Sequence, residues 1–193
     1  MSKMNDSTQE KIIGVATQEV AKNGCEGMKI RSLSHKVGVA PSVLYYHFSN
    51  KQELLDTMYT KTDTSLGVAR SLLPQAHSFP SALIQRIHFQ FDHAEEIMAV
   101  LKYYMYFRKN FQKNERGYLP EKTYLHIEEI LAESEKNGEY SFPHRAEDAK
   151  IIVHAINGFL FEYYPEKIAG KEKSALVDTI QSFILRSLSP YKI

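Results

Sequence analysis

Cysteine, tryptophan and long apolar runs are nearly or wholly missing from this sequence. Cys25 is the only cysteine among 193 residues, which excludes an intramolecular disulfide and favours a reducing compartment. No run of about 18 apolar residues occurs that would span a membrane, and the N-terminus has no apolar stretch of signal-peptide type. We therefore expect a cytoplasmic protein without membrane contact. Apolar residues make up 43% of the chain, enough to form a hydrophobic core.

Signatures of catalysis and of cofactor binding are also missing. The chain has no glycine-rich phosphate loop, no Gly-x-Ser-x-Gly nucleophile motif and no His-Glu-x-x-His zinc motif. His88, Asp92 and His93 cluster at helical spacing and leave one alternative open, an all-α metal-binding protein or enzyme. A solvated polar face explains this cluster better, because no Glu-x-x-His pair or cysteine cluster accompanies it. We expect no cofactor, no metal and no enzymatic activity.

Apolar residues recur with a helical period along the whole chain, and the sustained alternation of a strand is missing. Ser7 with Glu10 and Asn50 with Glu53 are helix-start patterns, whereas Asn23-Gly24 and Gly38 are helix-stop signals. The sequence therefore predicts an all-α protein of about nine helices. After a first helix ending at Asn23-Gly24, these lie near 30–37, 41–48, 52–72, 80–93, 95–110, 121–136, 145–164 and 171–188.

The most informative segment runs from Ile30 to Leu54 and reads IRSLSHKVGVAPSVLYYHFSNKQEL. Two short helices with a tight turn at Gly38 are typical of a helix-turn-helix, whose second helix enters the major groove of DNA. Leu44 and Phe48 are four residues apart and should face the core. The outward residues of the second helix are the expected DNA contacts: Ser42, Val43, Tyr45, Tyr46 and His47.

Charge is unevenly distributed although the formal net charge is only +1. From residue 27 to residue 52 there is no Asp or Glu, whereas Lys29, Arg31, Lys36 and Lys51 are all basic. Such a basic island favours a surface that faces phosphates, although a solvated basic face is the open alternative. Lys51 stands in the first turn of a helix, where backbone N–H groups are expected to help bind an anion.

This segment resembles the DNA-binding signature of the TetR (tetracycline repressor) family over about residues 8–55. The family pattern is Leu-Tyr-x-x-Phe, a polar pair, Lys and then Glu-Leu. This sequence matches it with Leu44, Tyr45, Tyr46, His47, Phe48, Ser49, Asn50, Lys51, Glu53 and Leu54. The resemblance implies a helix-turn-helix domain over 1–51 and a ligand-sensing and dimerisation domain over 52–193.

The resemblance also implies individual roles. Ser42, Val43 and Tyr45 occupy positions that face base edges or adjacent backbone. Tyr46, His47 and Lys51 occupy positions that contact phosphates. Two departures stand out. Lys29 follows Met28 where a capping Thr or Ser is usual, so Lys29 is expected to contact phosphate by charge. Pro41 replaces a polar base-reading residue, which shifts specificity toward Val43, Arg31 or DNA shape.

A single helix-turn-helix reads too few base pairs for useful specificity, so we expect a homodimer on a pseudo-palindromic operator in double-stranded DNA. The last two predicted helices carry apolar stripes that suit a four-helix interface. The alternative is that both stripes belong only to the core of one chain. The predicted interface residues are Ile152, Ile156, Gly158, Phe159, Ile180, Phe183, Ile184 and Ser187.

Aromatic residues are concentrated in the middle of the chain. Although most aromatic stripes are core, a cavity lined by Tyr, Met and His suits a small molecule. We expect a small, mainly apolar effector that releases a repressor from its operator. Its predicted site comprises Met98, Tyr103, Phe107, Tyr124 and Phe159. A further alternative is a protein-interaction module that docks through residues 45–48.

Overall fold

In the computed structural model the described residues are 2–110, 119–164 and 170–193. These residues form nine α-helices and one short 3₁₀ turn, and their only extended pairing is an isolated bridge between Tyr140 and Lys192. The predicted all-α class is confirmed. The elements are α1 Ser2–Gly27, α2 Ile30–Val37, α3 Pro41–His47, α4 Lys51–Ser71, α5 Phe79–Asp92, α6 Ala94–Asn110, α7 Leu119–Lys136, α8 Arg145–Tyr163, α9 Gly170–Ser187 and the 3₁₀ turn Ser189–Tyr191.

Local sequence signals set most of the helix ends. Gly24 has φ 72° and ψ 169°, so the predicted stop at Asn23-Gly24 is a break inside α1, with one further turn after it. Ser7 does not begin the first helix, since α1 starts at Ser2. Asn50 caps α4 as predicted, with its Oδ1 accepting a hydrogen bond from the Glu53 N–H at 2.9 Å.

The chain divides into two compact units. The N-terminal unit comprises Met1–Ala69 and Glu95–Glu115, and the C-terminal unit comprises Arg70–Ala94 and Arg116–Ile193. Compactness thus groups α4 and α6 with the first three helices. The functional boundary predicted at residue 51 stays a prediction.

The N-terminal unit is built around the apolar faces of α1 to α4. Leu33, Val37, Leu44 and Phe48 are all buried, as the sequence predicts. Lys102 of α6 donates from Nζ to the carbonyl of Ala21 at 2.6 Å, and so holds α6 at the end of the first part of α1.

The C-terminal unit packs α7 against α8 and α5 against α9 around a second core. Ser78 begins α5 with a reciprocal capping box to Ser81, one that the sequence reading did not anticipate. The carboxylate of Glu139 also accepts a hydrogen bond from the Phe79 N–H at 2.9 Å. Across the ranges that the structure describes, no helix is long and apolar enough to cross a membrane.

Candidate nucleic-acid interface

The turn between α2 and α3 has the geometry of a helix-turn-helix. Gly38 ends α2 in the left-handed conformation, with φ 79° and ψ 35°. The N–H groups of Gly38 and Val39 both donate to the carbonyl of Ser34 at 3.0 Å, which satisfies the end of the helix. Only Val39 and Ala40 separate this glycine from Pro41, the first residue of α3.

Helix α3 presents one side to the core and the other to solvent. Leu44 and Phe48 are 2% and 3% exposed, whereas Tyr45 and Tyr46 are 55% and 77% exposed. The remaining predicted contacts, Ser42, Val43 and His47, are exposed or half-buried. All five residues therefore lie where a duplex can reach them, and their contact with DNA stays a prediction.

The basic island contains fewer available cations than its sequence suggests. Lys29 and Arg31 are exposed. Within the described ranges neither side chain has a hydrogen-bond or ion-pair partner. Lys36 instead pairs with the largely buried carboxylate of Glu19. Lys51 donates from Nζ to the carbonyl of Glu26 at 3.3 Å, which fixes the ammonium beside the start of α4.

Hydrogen bonds already occupy part of the α4 N-terminus. The Oδ1 of Asn50 accepts a hydrogen bond from the Glu53 N–H, and the Glu53 carboxylate accepts one from the Ser49 N–H at 2.7 Å. The hydrogen bonds from Ser49 lower the pKa of Glu53, so this carboxylate stays ionised. The predicted anion site at Lys51 therefore depends on the lysine charge more than on free backbone N–H groups.

The predicted effector residues fall in different units. Met98, Tyr103 and Phe107 belong to the N-terminal unit, whereas Tyr124 and Phe159 belong to the C-terminal unit. Met98 and Tyr103 are buried, and Phe107 is half-buried. Their joint membership of one pocket stays a prediction.

The predicted pocket tyrosines have partners within the chain. The hydroxyl of Tyr103 donates to the carboxylate of Asp56, and its ring stacks on Tyr59 with 4.5 Å between centroids. The Tyr124 hydroxyl lies 3.1 Å from Nε2 of His154. Internal hydrogen bonds and stacking thus account for both residues without a ligand.

A cavity of about 380 Å³ opens in the C-terminal unit, against α7 and the start of α5. None of the predicted effector residues lines it. Its walls are Gln75, Ala76, Ser78, Phe79, Ala82, His126, Glu129, Ile130, Glu133, Ser134, Asn137 and Glu139.

A buried polar cluster in the same unit was missed by sequence reasoning. Arg86 and Gln90 on α5 are buried at 4% and 1% exposure, one helical turn apart. The guanidinium carbon of Arg86 lies 5.9 Å from the ring centroid of Phe89, and that of Arg70 lies 5.5 Å from the same centroid. A signal was present, because Arg86 and Gln90 alternate with Leu83 and Ile87 on one side of α5. We name Arg70, Arg86, Phe89, Gln90 and His126 the Arg86 cluster.

The residues of the metal alternative have other partners. Asp92 pairs with Lys173, and the ring of His93 packs 4.5 Å from that of Phe89. Among the side chains that the structure describes, no group of three or more His, Cys, Asp or Glu is placed to hold a metal ion. The structure gives the metal alternative no support.

The predicted dimer stripes are mostly core. Ile152, Ile156, Ile180 and Ile184 are at most 4% exposed in a single chain, so we reassign them from the interface to the core of the C-terminal unit. Phe159 also packs against this core. The other predicted interface residues lie outward: Gly158, Phe183 and Ser187.

Sequence reasoning missed two further outward apolar residues on α8. Ile151 is 65% exposed and Phe161 is also exposed, and they share the outer face of the helix with Gly158. The outer face of α9 carries Phe183 and Ser187. We call these five residues the outer stripe.

A family model described as bacterial regulatory proteins, tetR family, matches residues 12–58. The tetracycline repressor protein class C of Escherichia coli is 38% identical over 55 residues. That alignment covers 28% of this chain and 25% of the repressor. The matched segment spans the second half of α1 before its break, both helices of the helix-turn-helix and the start of α4.

Similarity to solved structures extends over nearly the whole chain. A TetR-family regulator from Agrobacterium tumefaciens has a TM-score of 0.68 at 14% identity, covering 98% of this chain and 100% of that one. Another from Thermus thermophilus has a TM-score of 0.69 at 15% identity, with 91% and 97% covered.

A third structure, described as a transcriptional regulator from Saccharomonospora viridis in complex with choline, has a TM-score of 0.71 at 15% identity, with 93% and 96% covered. At such identities these likenesses show the shared fold. The sequence match adds that residues 12–58 are similar to the corresponding segment of the tetR family of bacterial regulatory proteins.

Proposed function

We propose that the chain is a sequence-specific DNA-binding transcriptional repressor without enzymatic activity. The observation that carries this proposal is the outward face of α3, where two adjacent tyrosines stand exposed; the same unit also exposes the unpaired Lys29 and Arg31. Tyrosine hydroxyls and basic side chains are suitable partners for phosphate oxygens, and the half-buried Val43 suits a thymine methyl group. Because operator DNA lies in the bacterial cytoplasm, this function implies a cytoplasmic location.

We further propose that the protein acts as a homodimer through the outer stripe. Gly158 supports this, because a Cβ built on it meets no atom within 4 Å, so the surface there is open to a partner helix. Ile151 and Phe161 on α8 and Phe183 on α9 supply exposed apolar area. Two recognition helices about 34–36 Å apart would then match successive major grooves of a pseudo-palindrome.

A variant pair tests the interface by sedimentation equilibrium. Phe183→Asp places a charge in the outer stripe and is expected to yield monomers, whereas Leu125→Asp changes an equally exposed residue on α7 and should leave the dimer intact. Equal association of both variants would remove the outer stripe from the interface.

The proposed effector is a small molecule bound in the C-terminal unit. The solved relative that holds choline supports a small-molecule site in this fold. For such a ligand to release DNA, it must bind the DNA-incompetent state more tightly than the competent one, since equal affinity shifts nothing.

In-vitro selection of duplexes from a random pool at near-physiological salt tests the main proposal. A two-fold symmetric enriched site is the expected result. If the protein enriches no sequence even after unfolding and refolding to remove bound ligand, the proposal fails.

A matched pair on α2 tests the role of the basic surface. Arg31 has no partner, whereas Lys36 is neutralised by Glu19. Arg31→Ala should therefore lower the slope of log affinity against log salt by about one phosphate contact, and Lys36→Ala should leave it nearly unchanged. If Lys36→Ala lowers the slope as much as Arg31→Ala does, the DNA-facing surface has been assigned incorrectly.

A further inference from the structure

Arg86 is a buried cation whose hydrogen-bonding groups are incompletely used. Its side chain is 4% exposed, and in the described part of the chain its Nε and Nη1 have no hydrogen-bond partner. Burial first, and the nearby charge of Arg70 second, lower the pKa of Arg86 to about 9. The guanidinium is therefore still charged at neutral pH, where a buried charge without a counter-ion is strongly unfavourable.

The surroundings add positive charge rather than removing it. Arg70, at the end of α4, shares the ring of Phe89 with Arg86. Burial lowers the pKa of His126, and the two arginines lower it further. Gln90, one turn beyond Arg86, donates to Asn157 while its own Oε1 accepts no hydrogen bond from the residues described.

The glutamates nearby have other partners or are too exposed to compensate. Glu139 accepts the Phe79 N–H, and Glu133 lies 3.6 Å from Lys136 on the surface. Glu129 is mostly exposed and lies 3.8 Å from the His126 ring, so solvent screens its charge. Among the described residues, no carboxylate raises the pKa of Arg86 against the lowering by burial and by Arg70.

The cavity along α5 and α7 provides space beside this cluster. His126 lines the cavity and belongs to the Arg86 cluster, while Ala82 lines it one helical turn before Arg86. Phe79, Ala82 and Ile130 supply apolar wall. Arg86 and Gln90 are not themselves among the residues that line the cavity, so the unpaired guanidinium lies in the same unit, one helical turn beyond the Ala82 wall.

We infer that the C-terminal unit binds an organic carboxylate, whose carboxylate group pairs with Arg86 and whose apolar part extends along Phe79, Ala82 and Ile130. The planar guanidinium matches a carboxylate with two parallel hydrogen bonds. The unused Oε1 of Gln90 can accept a hydrogen bond from a hydroxyl group on the same ligand. The ligand's role as effector rests on the proposed function, whereas its binding does not.

Thermal unfolding without DNA tests the binding. Hexanoate and benzoate are compared with hexanamide and benzamide, which keep the shape and lack the charge. At about ten times the dissociation constant the acids should raise Tm by about 3–6 °C and the amides should not. Arg86→Met should abolish the rise. Arg145→Met is the control, because Arg145 lies 3.2 Å from Glu135 in the same unit and already has its counter-ion.

Arg86→Met also has an expected effect on its own. In a buffer of low anion content it should keep or raise Tm, because it removes an unpaired buried charge. A clearly lower Tm would show that Arg86 is satisfied within the protein and would overturn the inference. Arg86→Lys keeps the charge without the planar fork, so it should retain only a reduced response to benzoate. It provides the test if Arg86→Met does not fold.

Three other outcomes would also overturn the inference: equal shifts from acids and amides, an equal shift from sodium chloride, or a shift from choline chloride alone. The last would assign the cavity, with its exposed glutamates, to a cation. Fluorescence anisotropy on the selected duplex then separates the two proposals. If the acids raise Tm but leave DNA affinity unchanged, the carboxylate site stands and its role as effector fails. If no DNA is bound at all, only the proposed function fails.

Discussion

Gly38 provides the sharpest test of the helix-turn-helix geometry, because the backbone conformation alone limits which residue can occupy this position. Its φ of 79° lies in the left-handed region, where an L-residue costs about 1–2 kcal/mol. A Cβ built at this position meets no atom within 4 Å, so steric overlap adds nothing to that cost. Gly38→Ala should therefore reduce the free energy of unfolding by about 1–2 kcal/mol.

Gly67 is the matched control. It lies in α4 of the same unit, a Cβ built there also meets nothing within 4 Å, and its backbone is helical. Alanine at an exposed helical position is more stable than glycine by about 0.5–1 kcal/mol. The two substitutions make the same chemical change and should shift stability in opposite directions.

Urea unfolding followed by circular dichroism measures both variants against the parent protein. The urea midpoint should fall for Gly38→Ala and rise for Gly67→Ala. The free energies of unfolding of the two variants should differ by about 1.5–3 kcal/mol. Gly38→Asn should lie nearer the parent, since Asn tolerates the left-handed region better than Ala. A Gly38→Ala protein as stable as the parent would refute the left-handed turn between α2 and α3.

Three further predictions concern DNA recognition, a buried hydrogen bond and a buried thiol. Lys51→Ala should weaken binding to all duplexes and flatten the salt dependence of that binding. Val43→Ala should instead change sequence preference by about 1–3 kcal/mol at one position per half-site. Equal effects of both variants on every duplex would contradict this division. Tyr103→Phe should lower the free energy of unfolding in urea by about 1.5–3 kcal/mol, because the hydrogen bond that the Tyr103 hydroxyl donates to the charged carboxylate of Asp56 is lost. An unchanged midpoint would count against that bond. Burial raises the pKa of Cys25 from 9.0 to about 12, so this thiol stabilises the fold fully below pH 9 and progressively less as the pH rises toward 12. At pH 8 it should react with Ellman's reagent only as fast as the protein opens, and rapid reaction in the absence of urea would contradict its burial.

The sequence predicted the fold well at positions where interactions between residues close in the chain determine the structure. Gly38 ends α2 and Asn50 caps α4 at the predicted positions, because each signal acts on backbone groups within four residues. The buried pair Leu44 and Phe48 follows from helical spacing alone, and it fixes which residues of α3 face outward.

Sequence could not predict which charges have partners. Lys36 looked equivalent to Arg31, but Glu19 on α1 neutralises it across 17 residues of chain. The Tyr103 hydroxyl donates a hydrogen bond to Asp56, which is 47 residues away along the chain, so no ligand is needed to satisfy this hydroxyl. Such pairings depend on how helices pack, and helical period carries no information about that.

The dimer stripes show why period alone misassigned an interface. A helix that packs on its own core and one that packs on a partner need the same apolar spacing, so Ile152 and Ile156 satisfied both readings. The apolar residues that break this spacing carry the distinguishing information. Ile151 and Phe161 lie off the core stripe and are exposed in a single chain, where burial in that chain's core cannot account for them. Two large apolar side chains on the outer face of one helix, with Gly158 between them, favour a surface that is covered by a second copy.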